Sequence, residues 1–185
     1  MIEKELKAML TYKQYLELKS KLDWNCSFVQ INFYYDTENR YYWNHGITIR
    51  IRKKKDAFFL QAKLPVSIDG GLHIKKEYEK KMLEVSETIS AEELFALTGT
   101  ELPAVKRIGS LMTERAEYAV GNTLVCLDRN EYMDTEDFEI EIEFSSQPDN
   151  RVLEMVSALG VDFNQKSLGK FTRFNLLSNL DGECV

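Results

Sequence analysis

The chain has 185 residues, 44% of them hydrophobic and 29% charged, with a formal net charge of −6. That length suits a single domain with a sizeable core. The acidic balance argues against a general nucleic-acid or anionic-membrane surface, though not against a local cationic pocket.

The first residues, Met-Ile-Glu-Lys-Glu-Leu-Lys, alternate. On a strand, Glu3, Glu5 and Lys7 share one face, with Ile2, Leu6 and Ala8 on the other. Thr11 caps a helix from about Tyr12 to Leu22, with Tyr15, Leu18 and Leu22 at helical spacing. Residues 27–36 are aromatic and β-branched, a second strand. In 47–53, Ile47, Ile49 and Ile51 oppose Thr48, Arg50 and Arg52. Strand 57–64 places Phe59, Gln61 and Lys63 together. After the Asp69-Gly70-Gly71 loop, strand 73–83 aligns Lys75, Glu77, Glu79 and Lys81.

Ser90 and Glu93 make a capping box for a helix through about Leu97. Pro103 suggests another short helix over 103–109. Strands 111–120 and 123–132 flank a Gly121-Asn122 hairpin turn. The first points Thr113, Arg115 and Glu117 one way, and the second aligns Leu124, Cys126 and Asp128. Strand 138–144 sets Phe138, Ile140, Ile142 and Phe144 against Glu139, Glu141 and Glu143. Asp149 opens a helix through about Leu159, and a last helical stretch covers 166–178.

The count is about eight strands, mostly joined by short connections, so the expected class is α+β: an antiparallel β-barrel with flanking helices in one domain, 1–185. Either face could line its interior. Composition alone favours apolar residues inside. The sign pattern favours the reverse, because an arginine pair occupies one strand and a glutamate triplet another. A bore lined by both signs needs pairing or a compensating ligand. A polyphosphate with a divalent cation satisfies both signs, with carboxylates on the cation and Arg and Lys on phosphoryl oxygens.

Glu3-x-Glu5-x-Lys7, Arg50-x-Arg52, Lys63, Glu77-x-Glu79, Arg115, Asp128, the Glu139/Glu141/Glu143 strand and Lys170-x-x-Arg173-Phe174 resemble, in order, the motifs of the CYTH superfamily of triphosphate tunnel metalloenzymes. This family includes thiamine and inorganic triphosphatases, class IV adenylate cyclases and some RNA triphosphatases. The resemblance implies an eight-stranded tunnel, charged inside, that binds a triphosphate lengthwise. It implies a Mg²⁺ or Mn²⁺ held by Glu3 and Glu5 with a last-strand glutamate. Glu141, the central member, is favoured; Glu139 and Glu143 share its face. Arg50, Arg52, Lys63 and Arg115 would grip phosphate oxygens, with Glu77, Glu79 and Lys170 in the same substrate-binding set. Lys7 would orient a phosphoryl group or the attacking water. Asp128 and Glu139 would help place a second metal. The expected function is metal-dependent hydrolysis of a triphosphate. The alternatives are an adenylate cyclase, a non-catalytic triphosphate binder, or an ordinary barrel with an apolar bore.

Other features read as structural. His45 and His73 fit surface or loop roles. Tyr34 and Tyr35, before Asp36, fit packing at the barrel end. Lys53-Lys54-Lys55 reads as a solvated strand end, and Lys166 and Lys170 fall one helical turn apart. Cys26, Cys126 and Cys184 are odd in number and lack CxxC spacing, against a disulfide framework or zinc site. Met1 leads straight into charge and no long apolar run follows, so a cytoplasmic protein with a small-molecule partner is expected, as monomer or homodimer, without membrane or nucleic-acid binding.

Overall fold

The computed structural model describes residues 2–69 and 71–180. Its strands are β1 (Ile2–Leu10), β2 (Cys26–Asp36), β3 (Thr48–Lys54), β4 (Ala57–Asp69), β5 (Leu72–Met82), β6 (Thr88–Ile89), β7 (Val105–Val120), β8 (Thr123–Tyr132) and β9 (Thr135–Phe144). Eight of them form an antiparallel sheet in the order β2-β3-β4-β5-β1-β9-β8-β7, and β7 pairs back onto β2. The sheet is therefore a closed barrel, which removes its edges. The two-residue β6 adds to β7.

The apolar faces point outward beneath helices. Ala8, Val125, Leu127, Ile140 and Ile142 pack against Tyr15 and Leu18 of α1 (Tyr12–Lys21) and Val152 and Val156 of α4 (Asn150–Ser157). Ile49, Ile51, Leu60 and Ala62 meet Tyr42 of α2 (Tyr41–Asn44) and Leu94 of α3 (Ala91–Thr98). With apolar surface committed to the outside, the alternate positions of each strand turn their polar groups into the bore. Leu18 has no exposed surface, so Leu18→Ala should cost about 2–5 kcal/mol.

Local chemistry sets the helix starts. Thr11 and Gln14 form a reciprocal cap on α1, as Ser90 and Glu93 do on α3. The short α2, which hydrophobic periodicity is too brief to reveal, is held by Asp36. Its carboxylate accepts from the backbone N–H groups of Tyr42 and Trp43 at 2.9 and 3.0 Å.

Two expectations are corrected. Residues 103–109 are not helical: β7 begins at Val105, where Lys106 pairs with Asp36 on one side and Thr88 on the other. Two flanking strands distant in sequence override the Pro103 signal. Lys166 does not share a helix face with Lys170, because α5 (Lys170–Leu180) begins at Lys170 itself. The 69–71 loop falls partly, and Cys184 wholly, outside the described residues.

Helix α5 closes one end of the barrel. Phe171 and Phe174 pack with Tyr34, Leu111 and Tyr132. Gly109 sits in β7 at φ 153°, and a Cβ there would stand 2.5 Å from the Phe174 ring. That position must be glycine for the helix to seat. No helix among the described residues is long and apolar enough to cross a membrane.

Candidate active site

The bore holds a cavity of about 320 Å³. Its wall carries Glu3, Glu5 and Lys7 from β1, Arg50 and Arg52 from β3, Lys63 from β4, Lys75 and Glu77 from β5, Arg115 from β7, and Glu141 and Glu143 from β9. The structure thus gathers most of the residues singled out in the sequence. Glu79 stays at the exposed rim and reaches the wall through Gln61. That amide donates to Glu79 at 2.6 Å and accepts from Arg50 at 2.7 Å. Asp128 and Glu139 are fully buried behind the wall, and Lys170 descends from α5.

The carboxylates form two clusters. In one, oxygens of Glu3, Glu5 and Glu143 all lie within 4.8 Å of one another. Glu5 and Glu143 face each other across the β1–β9 ladder, whereas Glu141 faces Lys7. Strand register thus sets Glu143, rather than the favoured Glu141, beside Glu3 and Glu5. An all-oxygen, anionic donor set of this kind fits a hard divalent cation.

In this first cluster the cations crowd Glu5 and leave Glu143 loosely paired. Lys75 and Lys7 lie 3.0 and 3.5 Å from Glu5, and Lys63 spans Glu3, at 2.8 Å, and Glu77. Glu143 meets the Arg115 guanidinium only at 3.7 Å. Burial pushes the Glu143 carboxyl up to about 7; Arg115 opposes that and Glu141 adds to it. Burial likewise raises Glu3 against the pull of Lys63, with Glu5 and Glu77 reinforcing it. Burial acts on Glu5 too, but Lys7, Lys75 and Lys63 overcome it and hold that carboxyl well below the usual range.

The second cluster, Asp128, Glu139 and Glu141, is neutralised by the chain itself. Arg115 grips Asp128 with two hydrogen bonds, at 2.7 and 2.6 Å, and also reaches Glu141. The Lys170 ammonium lies 2.7 Å from Asp128 and 3.0 Å from Glu141, and contacts Glu139. Arg173 donates to Glu139 at 2.9 Å, and Lys7 lies 2.5 Å from Glu141. Burial alone would raise Asp128, but Arg115 and then Lys170 hold it well below the normal carboxylate range. Asp128 and Glu139, expected to help place a second metal, lie in a carboxylate group that could hold an ion and contact the Lys170 ammonium.

The opposite imbalance occurs on β3. Among the described residues, neither Arg50 nor Arg52 pairs with a carboxylate. Arg50 donates to Gln61, and Arg52 donates to Asn32 Oδ1 at 2.9 Å. Burial, with Arg50 and Arg115 nearby, lowers the Arg52 guanidinium to about 9. The sequence reading missed the β2 contribution, although Gln30, Asn32 and Tyr34 alternate with Val29, Ile31 and Phe33. All three are buried, and Gln30 Nε2, Asn32 Nδ2 and Tyr34 Oη lack protein partners.

His73 is a further correction. It is 4% exposed, lines the cavity and stands opposite Glu5. Burial, then the Lys75 and Lys7 ammonium groups, lowers it to about 4, so the ring is neutral near pH 7. A lone histidine gives no periodic signal; only its parity with Lys75 and Glu77 places it on the bore face. His45 keeps the surface role expected of it, with Nδ1 2.6 Å from the Tyr41 carbonyl.

Comparison with known proteins agrees with this arrangement. The Bacillus subtilis (strain 168) protein named "Putative triphosphatase YjbK" is 31% identical over 160 residues, 81% of this chain and 81% of that protein. Among solved structures, "Putative adenylyl cyclase HpAC1" from Hippeastrum, described as having a dominant triphosphatase activity, superposes with a TM-score of 0.73. It is 20% identical, covering 94% of this chain and 95% of that one. A "putative adenylate cyclase" from Bacillus halodurans gives a TM-score of 0.67 at 22% identity, covering 92% and 95%. These two show the shared fold. The CYTH domain model matches residues 1–171, and with the barrel, the ordered motifs and the Bacillus subtilis relative it establishes that the chain belongs to the CYTH domain family.

Proposed function

We propose that this chain hydrolyses the terminal phosphoryl group of a triphosphate-containing small molecule, with a Mg²⁺ or Mn²⁺ ion held by Glu3, Glu5 and Glu143. One observation carries the reading. A single cavity holds a three-carboxylate cluster on β1 and β9, in which Glu143 is only loosely paired, and guanidinium groups without carboxylates on β3. A polyanion accompanied by a divalent cation is the ligand that satisfies both. The name of the Bacillus subtilis relative carries the same activity.

The cation supplies Lewis-acid neutralisation of phosphoryl charge. Arg50 and Arg52 bind phosphoryl oxygens, and their fork geometry fixes the chain's position along the bore. Lys63 and Arg115 add donors along the same wall, with Glu77 holding Lys63 in place and Glu79 acting on Arg50 through Gln61. Burial disfavours the Lys7 ammonium, but Glu141 and Glu5 raise its pKa, so it stays charged and can orient the terminal phosphoryl group. Lys170 fixes the Asp128–Glu139–Glu141 cluster and so keeps Arg115 and Lys7 aimed. Water adds to the terminal phosphorus, the bridging P–O bond breaks, and phosphate and the shortened product leave. Catalysis is mainly positioning and charge stabilisation.

The test is a panel of tripolyphosphate, thiamine triphosphate and ATP, with Mg²⁺, Mn²⁺ or chelator. Metal-dependent phosphate release from at least one substrate is expected. Cyclic AMP with pyrophosphate from ATP would replace the hydrolase with a cyclase. Binding without turnover would make the bore a capture site.

A further inference from the structure

We propose that Lys75 is a counter-charge that the substrate displaces. Its ammonium caps Glu5, and a triphosphate entering the tunnel draws it onto a phosphoryl oxygen, which opens Glu5 to the cation. The inference rests on the triphosphatase reading of the same bore. Lys75 lines the same cavity as Glu3, Glu5, Glu143 and the β3 arginines.

The contacts single out Lys75 among the lysines of this wall. Lys75 stands opposite Glu3 on the β1–β5 ladder, diagonal to Glu5, and donates to Glu5 Oε1 at 3.0 Å. Lys7 lies 3.5 Å from the same oxygen. The other two lysines are each tied twice: Lys7 also to Glu141, at 2.5 Å, and Lys63 to Glu3 and Glu77. Among the described residues Glu5 is the one carboxylate partner of Lys75. The Lys75 side chain keeps 16% exposure against 2% for Glu5, so the lysine is the accessible member of the pair.

Two ammonium groups on one oxygen oppose a third cation. A divalent ion on the Glu5 carboxylate and the Lys75 ammonium would repel each other, strongly so where water is scarce. That repulsion falls if Lys75 swings away, and its charge rides on a flexible four-carbon stem. A triphosphate supplies the destination. Held by Arg50 and Arg52 on the same cavity wall, it offers Lys75 several anionic oxygens in place of one shared carboxylate. The cation binds alone, but against Lys75, and binds more tightly once Lys75 has turned to the phosphate. Linkage makes the help reciprocal: each ligand tightens the other through this side chain.

The experiment is calorimetry on the metal-free protein. Mn²⁺ alone, and tripolyphosphate alone in chelator, are titrated into wild type, Lys75→Met, Lys75→Arg and Lys80→Met. Separate titrations keep the two ligands from combining in solution. Lys75→Met should bind Mn²⁺ about 10- to 100-fold more tightly and tripolyphosphate about 10-fold more weakly. Opposite signs for the two ligands are what a merely structural lysine would not give. Lys75→Arg keeps the charge and should stay near wild type for both. Lys80→Met removes an exposed charge from the other face of β5 and should change neither. Lys75→Gln repeats the test should Lys75→Met not fold. Mn²⁺ binding that is unchanged or weaker in Lys75→Met overturns the proposal, as does tighter Mn²⁺ binding with tripolyphosphate affinity unchanged. An equal gain of Mn²⁺ affinity in Lys80→Met also overturns it, because net charge would then be the cause. In each of these cases, turnover of a triphosphate by wild type leaves the triphosphatase reading standing. A wild type that neither binds tripolyphosphate nor hydrolyses any triphosphate overturns that reading, and this inference with it.

Discussion

Two groups of three carboxylates share one barrel, and they differ in what neutralises them. Around Asp128, Glu139 and Glu141 the protein supplies Arg115, Lys170, Arg173 and Lys7. Around Glu3, Glu5 and Glu143 stand Lys7, Lys63, Lys75 and Arg115, but they favour Glu5, and burial pushes Glu3 and Glu143 toward protonation. An acidic cluster alone therefore does not identify a metal site. How the nearby cations are distributed is the better guide, because a cluster whose every carboxylate is tightly paired is already an internal salt and one with a loosely paired member can still take an ion.

The sharpest way to break this contrast is Glu5→Ala. It should lower metal-dependent turnover by about 10³-fold, with an unchanged circular dichroism spectrum; normal turnover would remove the first cluster from the mechanism. Lys170→Met attacks the other cluster. Leaving three buried carboxylates under-neutralised should cost about 3–5 kcal/mol in urea denaturation. Calorimetric Mn²⁺ titration should then read two ions where wild type takes one, and a single ion in both would erase the distinction. Arg52→Ala tests the opposite wall: KM should rise about 10- to 100-fold, the range of a charged hydrogen bond, and an unchanged KM would count against the tunnel.

The smallest effect concerns pH. The folded Glu143 carboxyl titrates near 7, against an ordinary 4.5. The folded state therefore binds more protons than the unfolded one across that window, and stability falls as pH rises through it. Glu143→Gln in chelator should match wild type near pH 4 and exceed it at pH 8 by about 1–3 kcal/mol. Equal stability at both pH values would show that Glu143 is already satisfied.

Much of this was legible in the alternation. Strands with one charged and one apolar face, such as 138–144, declare both their partners and their orientation, and the run of arginine and glutamate signs indicates which face is inside. Register was not legible. Glu139, Glu141 and Glu143 share a face, and only the pairing of Glu5 with Glu143 separates them. Nor was the role of Lys170, since its ammonium reaches the second cluster through the seating of α5 beneath Gly109. The polar face of β2 was present in the sequence, but its aromatic residues obscured the Gln30–Asn32–Tyr34 alternation.

The paired first and last strands, β1 and β9, carry a consequence for how the chain folds. Glu3 and Glu5 lie on the first strand, yet their partner Glu143 lies on the last. The β2–β7 seam also joins distant segments, with Cys26 and Glu117 91 positions apart. Such non-local closure is slow, because loop entropy is lost before the contacts form. A cation held, as proposed, by Glu3, Glu5 and Glu143 would bind only the closed barrel and so would clasp its first strand to its last. At a hundredfold excess over its dissociation constant it would deepen the native state by about 2.7 kcal/mol. Divalent metal would then serve as a folding cofactor before any substrate arrives.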